Sequence, residues 1–337
     1  MDVFIKSFNR PFLLDRCIAS IYHYAVNFSR IVVMDDGTPQ IYVEKLKNKY
    51  PDICFEFSVN YAEKSADILA GRYPKKEIPA SLWKGCIEKG TPYFVLLEDD
   101  MWFTDFIDLK IVHQNLSDEH MSMVKFMWLN NKKLISPFVV QQESSFLITA
   151  PKLTTYKAVH FKRFFIENKY KVYSIAKRLG INCDDLLLAY YQIYIVAGGA
   201  FSKDYYNACW NQKQKTVNEL SQIHQLLKAR KKIELKVGHS FKEIIKASYK
   251  TTASSQNKEH LKDEFDVYQL NALLNKAWYA DEMYELKDFQ NDIPDAWIEK
   301  VLLHYTSDQH LYFLWKEWYK KFKQTYEEIG CSIINDK

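Results

Sequence analysis

Three consecutive acidic residues, Glu98, Asp99 and Asp100, carry the clearest chemical signal in the sequence. They follow directly on the apolar run 93–97, which is typical of a buried strand. Carboxylates at the end of a buried strand are costly unless a cation compensates them, and Mg²⁺ and Mn²⁺ prefer oxygen ligands. Residues i and i+2 of an extended chain point the same way. Glu98 and Asp100 are therefore predicted to bind a divalent metal while Asp99 faces elsewhere; a solvated acidic turn is the alternative.

A second polar cluster follows the apolar run 2–6. Ser7, Asn9 and Arg10 stand immediately before Pro11, a residue that suits the first turn of a helix. A loop of this kind at a helix start can hold a nucleotide, with Arg10 placed to meet a phosphate. The alternative is that Ser7 and Asn9 only cap the helix.

A third polar cluster ends the apolar run 30–34, where Asp35 and Asp36 precede Gly37. Paired carboxylates at the end of a strand can accept hydrogen bonds from a base N–H and from ribose hydroxyls. Gly37 would let the turn bend close to a ligand. An ordinary Asp-Gly turn is equally compatible with these residues.

The segments that carry these clusters alternate between strands and helices. Strands are predicted at 2–6, 30–34, 53–57, 93–97, 122–129 and 145–149, and helices from 11 to about 25 and at 40–49, 80–89 and 184–195. The alternation predicts an α/β fold, a mostly parallel sheet with helices on both faces, followed by a C-terminal helical region. Because such sheets bind ligands at the carboxyl ends of their strands, the three clusters are expected to meet at one edge.

The chain is predicted to consist of one large α/β domain, residues 1–250, and a helical extension, residues 251–337. Within the first domain, residues 1–105 would bind a nucleotide and residues 106–250 would build the acceptor side. The polar patch Thr251–Lys258 is a candidate boundary between the two domains.

Charge and composition exclude several classes of protein. A formal net charge of +4 is too small for a dedicated nucleic-acid-binding protein. None of the six cysteines forms a CxxC pair, so a structural zinc site is not expected. No signal peptide and no run of about 20 apolar residues is visible, which favours a cytoplasmic location. The mildly basic charge leaves peripheral contact with the inner face of a membrane open.

Taken together, the clusters at Ser7–Pro11, Asp35–Thr38 and Glu98–Asp100 resemble those of GT-A glycosyltransferases of the family-2 kind. The resemblance is good over residues 2–103, faint from there to about 210, and absent beyond. It implies a GT-A fold that transfers a sugar from a nucleotide-diphosphate sugar to a saccharide or lipid-linked acceptor. A UDP-sugar is favoured as donor, a GDP-sugar is an alternative, and Mn²⁺ or Mg²⁺ is the implied cofactor.

The resemblance also assigns residues. By match, Ser7 and Arg10 would lie beside the nucleotide, Asp36 would contact the base or the ribose, and Glu98 and Asp100 would meet the metal. It implies inversion at the anomeric carbon. The Gln-x-x-Arg-Trp element of processive members is absent, which favours transfer of a single sugar.

The family carries a later acidic pair at a helix start, and Asp184 and Asp185 look like that pair. We expect Asp185 to be the catalytic base, with Asp184 second, because a carboxylate can take the proton of an attacking hydroxyl. The alternative is that Asp184 caps the helix and Asp185 only favours its dipole. Two departures stand out: the pair is Asp-Asp where the family usually has Glu-Asp, and the turn at Gly198 and Gly199 follows the pair.

Three later features are weaker. Several GT-A enzymes supply a late histidine to the metal, and His239 is the candidate here, with an ordinary histidine as the alternative. The basic run Lys228–Lys232 could reach a diphosphate or an anionic membrane carrying a lipid-linked acceptor; a solvated helix face is its alternative. The aromatic stripe of the C-terminal helices predicts a packing face or a homodimer face rather than a membrane anchor.

The sequence thus predicts an enzyme of the hexosyltransferase type, metal-dependent, acting in polysaccharide or glycoconjugate biosynthesis. Two alternatives stay open. A sugar-phosphate nucleotidylyltransferase would use a similar sheet, although such enzymes usually open with a Gly-rich phosphate loop that this chain lacks. A GT-A-like module could also bind a nucleotide without catalysing transfer.

Overall fold

The computed structural model describes residues 1–210, 214–253, 265–284, 288–306 and 309–333 of the chain. The boundary patch predicted at Thr251–Lys258 lies outside these ranges from residue 254 onward. Within them, no helix is long and apolar enough to cross a membrane.

The chain alternates between strands and helices through its first half and ends in helices. The strands are β1 (Asp2–Ser7), β2 (Ala25–Val26), β3 (Ile31–Asp35), β4 (Cys54–Phe57), β5 (Tyr93–Glu98), β6 (Met101–Phe103), β7 (Ile107–Asp108), β8 (Met123–Lys125), β9 (Val139–Gln142), β10 (Leu147–Thr149), β11 (Gly199–Ser202), β12 (Val237–His239) and β13 (Ile245–Ala247). The helices are α1 (Pro11–Tyr24), α2 (Gln40–Lys49), α3 (Tyr61–Leu69), α4 (Ala80–Glu88), α5 (Leu109–Asp118), α6 (Ala158–Phe161), α7 (Val172–Arg178), α8 (Cys183–Leu188), α9 (Lys203–Cys209), α10 (Glu219–Ala229), α11 (Val267–Tyr279), α12 (Asp295–Thr306) and α13 (Gln309–Glu327). Short 3-10 helices cover Lys132–Leu134, Lys169–Lys171 and Ala189–Ile193, and a π-helix covers Lys162–Ile166.

Nine strands form the main sheet in the order β4-β3-β1-β5-β11-β8-β12-β10-β9. The first four are parallel, whereas β11 runs antiparallel to both β5 and β8. The α/β class and the C-terminal helical region are confirmed, and every antiparallel pair of this sheet lies beyond β5. Register in the parallel half places Ser7 beside Asp35 and Lys6 beside Glu98, so the three polar clusters end at one edge.

Helix α1 begins at Pro11, as predicted, and its apolar side is buried against the sheet. Its Arg16 is also buried, at 1% exposure, and lies 4.0 Å from the ring of Trp102. The Arg16 guanidinium donates hydrogen bonds to the hydroxyl of Tyr284 and to the carbonyls of Asp288 and Asn291. The helix that follows β1 is therefore tied to the segment between α11 and α12.

The C-terminal helices share one hydrophobic core with the sheet. In the predicted aromatic stripe, Leu314 is half-buried and the other residues are buried inside the chain: Trp297, Val301, Leu311, Trp315, Trp318 and Phe322. The stripe therefore packs within the molecule, and these side chains are not available as a face for a second copy. A homodimer remains a prediction, but the aromatic stripe does not provide its interface.

Two predicted elements are shorter in the structure. Only Met123–Lys125 of the run 122–129 joins the sheet; the chain bends directly after Lys125 and then turns through Leu129 and Asn130, which take positive φ angles. The segment 184–195 breaks into α8 and a 3-10 helix. Apolar composition alone did not reveal either break.

Replacing Arg16 with Met should lower the free energy of unfolding by about 2 kcal/mol, because the buried guanidinium would no longer donate to the Tyr284 hydroxyl and to the carbonyls of Asp288 and Asn291. Urea unfolding at equilibrium measures the loss. Lys47→Met removes a cation from an exposed pair with Glu44 and should change stability by less than about 0.5 kcal/mol. Equal losses in both variants would contradict the anchoring role of Arg16.

Candidate functional site

A pocket opens at the carboxyl ends of β1, β3 and β5. Its walls are strongly charged: basic side chains come from Lys6, Arg10, Lys64, Lys75 and Lys76, and acidic ones from Asp36, Glu77, Glu98 and Asp99. Ser7, Phe8, Ile78, Pro79, Trp83, Ala253 and Tyr268 complete the lining. All three predicted clusters contribute to this pocket, together with residues 75–79 that no motif had indicated.

Four buried polar atoms of the pocket lining lack a hydrogen-bond partner among the described residues. They are Oγ of Ser7, Nε of Arg10, Oδ1 of Asp36 and Nε1 of Trp83. Ser7 and Asp36 are 5% and 6% exposed. Buried polar atoms are almost always paired in folded proteins. Asp35 lies close to Ser7 and Ser58 lies close to Asp36, but neither contact has normal hydrogen-bond geometry. A ligand in the pocket would complete the hydrogen bonding of these two oxygens.

Asp36 is held by a buried lysine. The Nζ of Lys64 lies 2.5 Å from Oδ2 of Asp36 and also donates to the carbonyl of Glu77. Burial raises the pKa of Asp36, and the hydrogen bond from Lys64 opposes that rise. Gly37 is required by this approach, because a Cβ there would lie 2.7 Å from the Cβ of Lys64.

Asp35 and Asn9, predicted to bind the nucleotide, serve the loops instead. Asp35 is fully buried and accepts hydrogen bonds from the N–H of Gly37, the N–H of Thr38 and the Thr38 hydroxyl. Asn9 adopts a left-handed φ of 52° and accepts from Nδ2 of Asn275 on α11. Neither residue lines the pocket. Both predictions are corrected: these side chains hold the walls of the site.

The acidic run at the end of β5 is neutralised from within. Arg10 pairs with Asp99 and, at 2.8 Å, with Asp100, while Lys6 lies 3.6 Å from Glu98. Burial raises the pKa of Asp99, and the Arg10 charge opposes that rise. The guanidinium predicted to meet a phosphate thus has both terminal nitrogens on carboxylates. Only its Nε, which is buried, lacks a partner among the described residues.

The carboxylates differ in how they could serve a metal. Asp99 lines the pocket, contrary to prediction, but Arg10 and the N–H of Phe8 take both its oxygens. Glu98 and Asp100 each keep an oxygen outside these contacts. Within the described ranges, no group of three or more acidic, histidine or cysteine side chains is arranged to hold an ion. Two carboxylates completed by ligand phosphates match the usual Mg²⁺ arrangement, so the residues fit a metal that arrives with its ligand.

His239 lies away from this site. It belongs to β12, which is three strands removed from β5, a separation of roughly 14 Å at the usual strand spacing. Its ring packs against Trp128, its Nδ1 is 2.8 Å from the carbonyl oxygen of Ser240, and burial lowers its pKa. The predicted metal ligand is therefore a packed histidine, because the strand order separates it from Glu98.

Asp184 and Asp185 also lie outside the pocket lining. Asn182, not Asp184, caps α8 and accepts from the N–H of Asp185. The Asp185 carboxylate pairs with Lys133 at 2.5 Å, and Asp184 accepts from the Tyr173 hydroxyl. Both carboxylates are largely exposed, so the structure does not bring the predicted base to the site.

Sequence reasoning missed Glu219, the first residue of α10. The Tyr191 hydroxyl donates to it at 2.6 Å. Burial raises the pKa of Glu219, and the charges acting on it come from Glu98, Lys125 and Lys6. Glu219 is therefore within electrostatic range of Glu98, although, like Asp184 and Asp185, it does not line the pocket.

The aromatic ring of Tyr326, from α13, lies in the same region. Burial raises the pKa of Tyr326, and the charges of Glu219, Asp100 and Glu98 raise it further. Tyr268 of α11 lines the pocket, so the C-terminal helices reach the edge of the site. The sequence did contain a signal for Glu219. Asn218 and Glu219 are a polar residue and an acid at the start of a helix, after the turn at Gly198.

The sequence matches no protein-family model, and no curated protein is significantly similar to it. Among solved structures, the chain is similar to residues 1–349 of S. aureus TarS over 98% of its own length and 82% of that chain, with 9% identity and a TM-score of 0.42. It is similar to glucosyl-3-phosphoglycerate synthase from Mycobacterium tuberculosis, in complex with Mn²⁺, UDP and glucosyl-3-phosphoglycerate, over 83% of its length and 79% of that chain, with 10% identity and a TM-score of 0.39. The function has to be argued from the residues of the pocket itself.

Replacing Lys64 with Met should lower the free energy of unfolding by about 3 kcal/mol, because it leaves Asp36 buried without its cation. The double variant Lys64→Met, Asp36→Leu should recover a large part of that loss. Equilibrium urea unfolding of the two single variants and the double variant measures the coupling. Additive losses would contradict a buried ion pair at this position.

Proposed function

We propose that the protein transfers a single sugar from a nucleoside-diphosphate sugar to an acceptor hydroxyl, as the resemblance to GT-A enzymes implies. The observation that carries the proposal is the pocket at the strand ends. It joins unpaired buried atoms of Ser7 and Asp36 to a basic wall and to an acidic run. The hydrogen-bonding atoms suit a nucleoside, the basic wall suits a diphosphate, and the acidic run suits a metal.

Ser7 and Asp36 would bind the nucleoside. A hydroxyl and a carboxylate can accept from a base N–H and from ribose hydroxyls, and Lys64 keeps the Asp36 carboxylate oriented. These contacts serve several bases; a UDP-sugar is the favoured donor and a GDP-sugar the alternative. Lys75 and Lys76 would lie along the diphosphate, where lysines act as point charges.

Glu98 and Asp100 would hold Mn²⁺ or Mg²⁺ when the diphosphate is present. A bound metal supplies Lewis-acid stabilisation of the negative charge on the leaving diphosphate. Lys6 would share this task, since its Nζ lies near Glu98 and 4.6 Å from the ring centre of Trp83. Burial lowers the pKa of Lys6, while the negative charge of Glu98 raises it. The charge of Lys6 therefore depends on the ionisation of Glu98.

Glu219 would be the general base. The acceptor hydroxyl must lose its proton as its oxygen forms a bond to the anomeric carbon and the diphosphate departs. A carboxylate with a raised pKa is suited to accept that proton. Attack from the Glu219 side, opposite the departing diphosphate, would invert the anomeric centre. A saccharide or a lipid-linked acceptor would enter between α10 and α13.

A second candidate is a nucleotide-binding module without transfer. The observation that favours it is the pairing of Arg10 with both Asp99 and Asp100, which already neutralises much of the acidic run. Such a module would bind the nucleotide and leave the sugar bond intact.

Glu219→Gln should lower the rate of nucleotide release from the preferred donor by about 100-fold or more, while nucleotide affinity stays unchanged. The amide keeps the shape of the side chain but cannot take a proton. Turnover of a panel of UDP- and GDP-sugars, with Mn²⁺ and with candidate acceptors, measures the rate. Asp185→Asn is the matched control and should retain activity. Loss in Asp185→Asn with full activity in Glu219→Gln would restore the assignment made from sequence. If the wild-type protein binds a nucleotide but turns over no donor, the nucleotide-binding module without transfer is favoured.

Activity should fall as the pH drops through the raised pKa of Glu219, because the base must be ionised. The hydrogen bond from Tyr191 lowers that pKa. Tyr191→Phe removes the bond, so the acid limb of the kcat/KM profile should move to higher pH. Tyr173→Phe removes the equivalent hydroxyl from Asp184 and should leave the limb in place. A shift in Tyr173→Phe alone would contradict the role of Glu219.

A further inference from the structure

One surface of the protein is both apolar and basic, and the proposed reaction does not use it. It comprises residues 156–181, between β10 and α8, and is called here the apolar–basic face. Its exposed apolar residues are Tyr156, Val159, Ile166, Tyr170, Val172, Ile175, Leu179 and Ile181. Tyr170 is 81% exposed and Leu179 is 75% exposed, values that no packing role explains.

The exposed residues are ordered. Val172 and Ile175 on α7, and Leu179 immediately after it, recur at spacings of three and four and therefore share one side of the helix. Ala176, the one buried residue of α7, is four residues from Val172 and lies at the edge of this stripe, where the helix contacts the rest of the protein. The side chains of Val172, Ile175 and Leu179 lie outside the core.

The same segment is rich in cations. Residues 157–181 contain Lys157, Lys162, Arg163, Lys169, Lys171, Lys177 and Arg178 against a single acid, Glu167. The basic run Lys228–Lys232 is continuous with it, because the guanidinium of Arg230 lies 4.9 Å from the ring centre of Tyr156. Exposed apolar side chains flanked by long cationic ones are typical of surfaces that enter a lipid–water interface.

The apolar–basic face lies next to the proposed acceptor side. Helix α6 and the π-helix Lys162–Ile166 both pack on α10, and Glu219 is the first residue of α10. A planar surface bound at this face would hold acceptors attached to it near the helix that carries the proposed base.

We propose that the apolar–basic face binds the surface of an anionic lipid bilayer, with Tyr170, Ile175 and Leu179 entering the interface and the lysines meeting acidic headgroups. The charge decides this occupant. Of the seven cations, Lys162 pairs with Glu167 and Lys177 pairs with Asp184; the remaining excess of positive charge complements a negatively charged surface, and the aliphatic stripe needs an apolar phase beneath it. A nucleic acid would satisfy the cations only. Membrane binding by this face does not depend on the proposed function. The inference that the acceptor is lipid-linked does rest on the proposed function.

The test is co-sedimentation with phosphatidylcholine vesicles, with and without about one third phosphatidylglycerol. The full chain should bind the anionic vesicles, and binding should weaken as salt is raised, while neutral vesicles bind little. The double variant Lys169→Gln, Lys171→Gln should lose about 25-fold in affinity, which is about fivefold for each charge. No binding to anionic vesicles, or equal binding to both kinds, would overturn the proposal.

A second pair of variants separates insertion from charge alone. Ile175→Ser with Leu179→Ser should reduce vesicle binding while the melting temperature stays that of the wild type, since both side chains are exposed. Val59→Ser is the matched control, because Val59 is 93% exposed and lies on another part of the surface. Unchanged vesicle binding in the double variant would overturn the proposal, and loss of a dimer in light scattering would then identify the stripe as a self-association surface.

Nucleotide binding distinguishes this proposal from the proposed function. The Ile175→Ser, Leu179→Ser variant should bind UDP in solution as the wild type does, because the apolar–basic face lies outside the pocket. Vesicle binding without any nucleotide binding would support the membrane-binding face and contradict the proposed transferase. Nucleotide binding without vesicle binding would support the nucleotide site and contradict the membrane-binding face.

Discussion

The buried charge at the end of β5 is the constraint on which the site depends. Glu98, Asp99 and Asp100 stand together in a place where water cannot solvate them fully, so cations must be supplied by the chain. The register of β1 against β5 places Lys6 beside Glu98, and the loop after β1 carries Arg10 to the other two. Removing one partner of such a pair costs far more than the pair contributes.

That arrangement fixes what remains for a ligand. With both terminal nitrogens of Arg10 engaged, the acceptor atoms of the pocket that still lack partners are Oγ of Ser7 and Oδ1 of Asp36, at the ends of neighbouring strands. The exposed lysines of residues 75–76 and Glu98 also line the pocket, and Asp100 follows just outside the lining. The pocket therefore offers hydrogen-bond acceptors at one end, which suit a nucleoside, and charged side chains of both signs at the other end, which suit a diphosphate with its metal.

Local patterns predicted the parallel half of the sheet because each strand end carries its own polar cluster, and parallel strands bring such ends together. They could not predict what each side chain would touch. Asn9 is turned inward by Asn275, 266 residues away. His239 is separated from Glu98 because β11 and β8 enter between their strands, an order that no local pattern contains. Asp185 matched a motif but pairs with Lys133 outside the pocket lining, whereas Glu219, the proposed base, belongs to no motif and is positioned by the packing of α10.

The measurement that tests the account most directly is thermal unfolding against UDP, GDP and other nucleoside diphosphates, each with and without Mn²⁺. A ligand that binds only the folded state adds about 2.7 kcal/mol at a hundredfold excess over its dissociation constant. The account predicts a shift for one nucleotide, enlarged by Mn²⁺, with the metal-dependent part lost in Asp100→Asn. No shift with any nucleotide would contradict the claim that this pocket is a donor site.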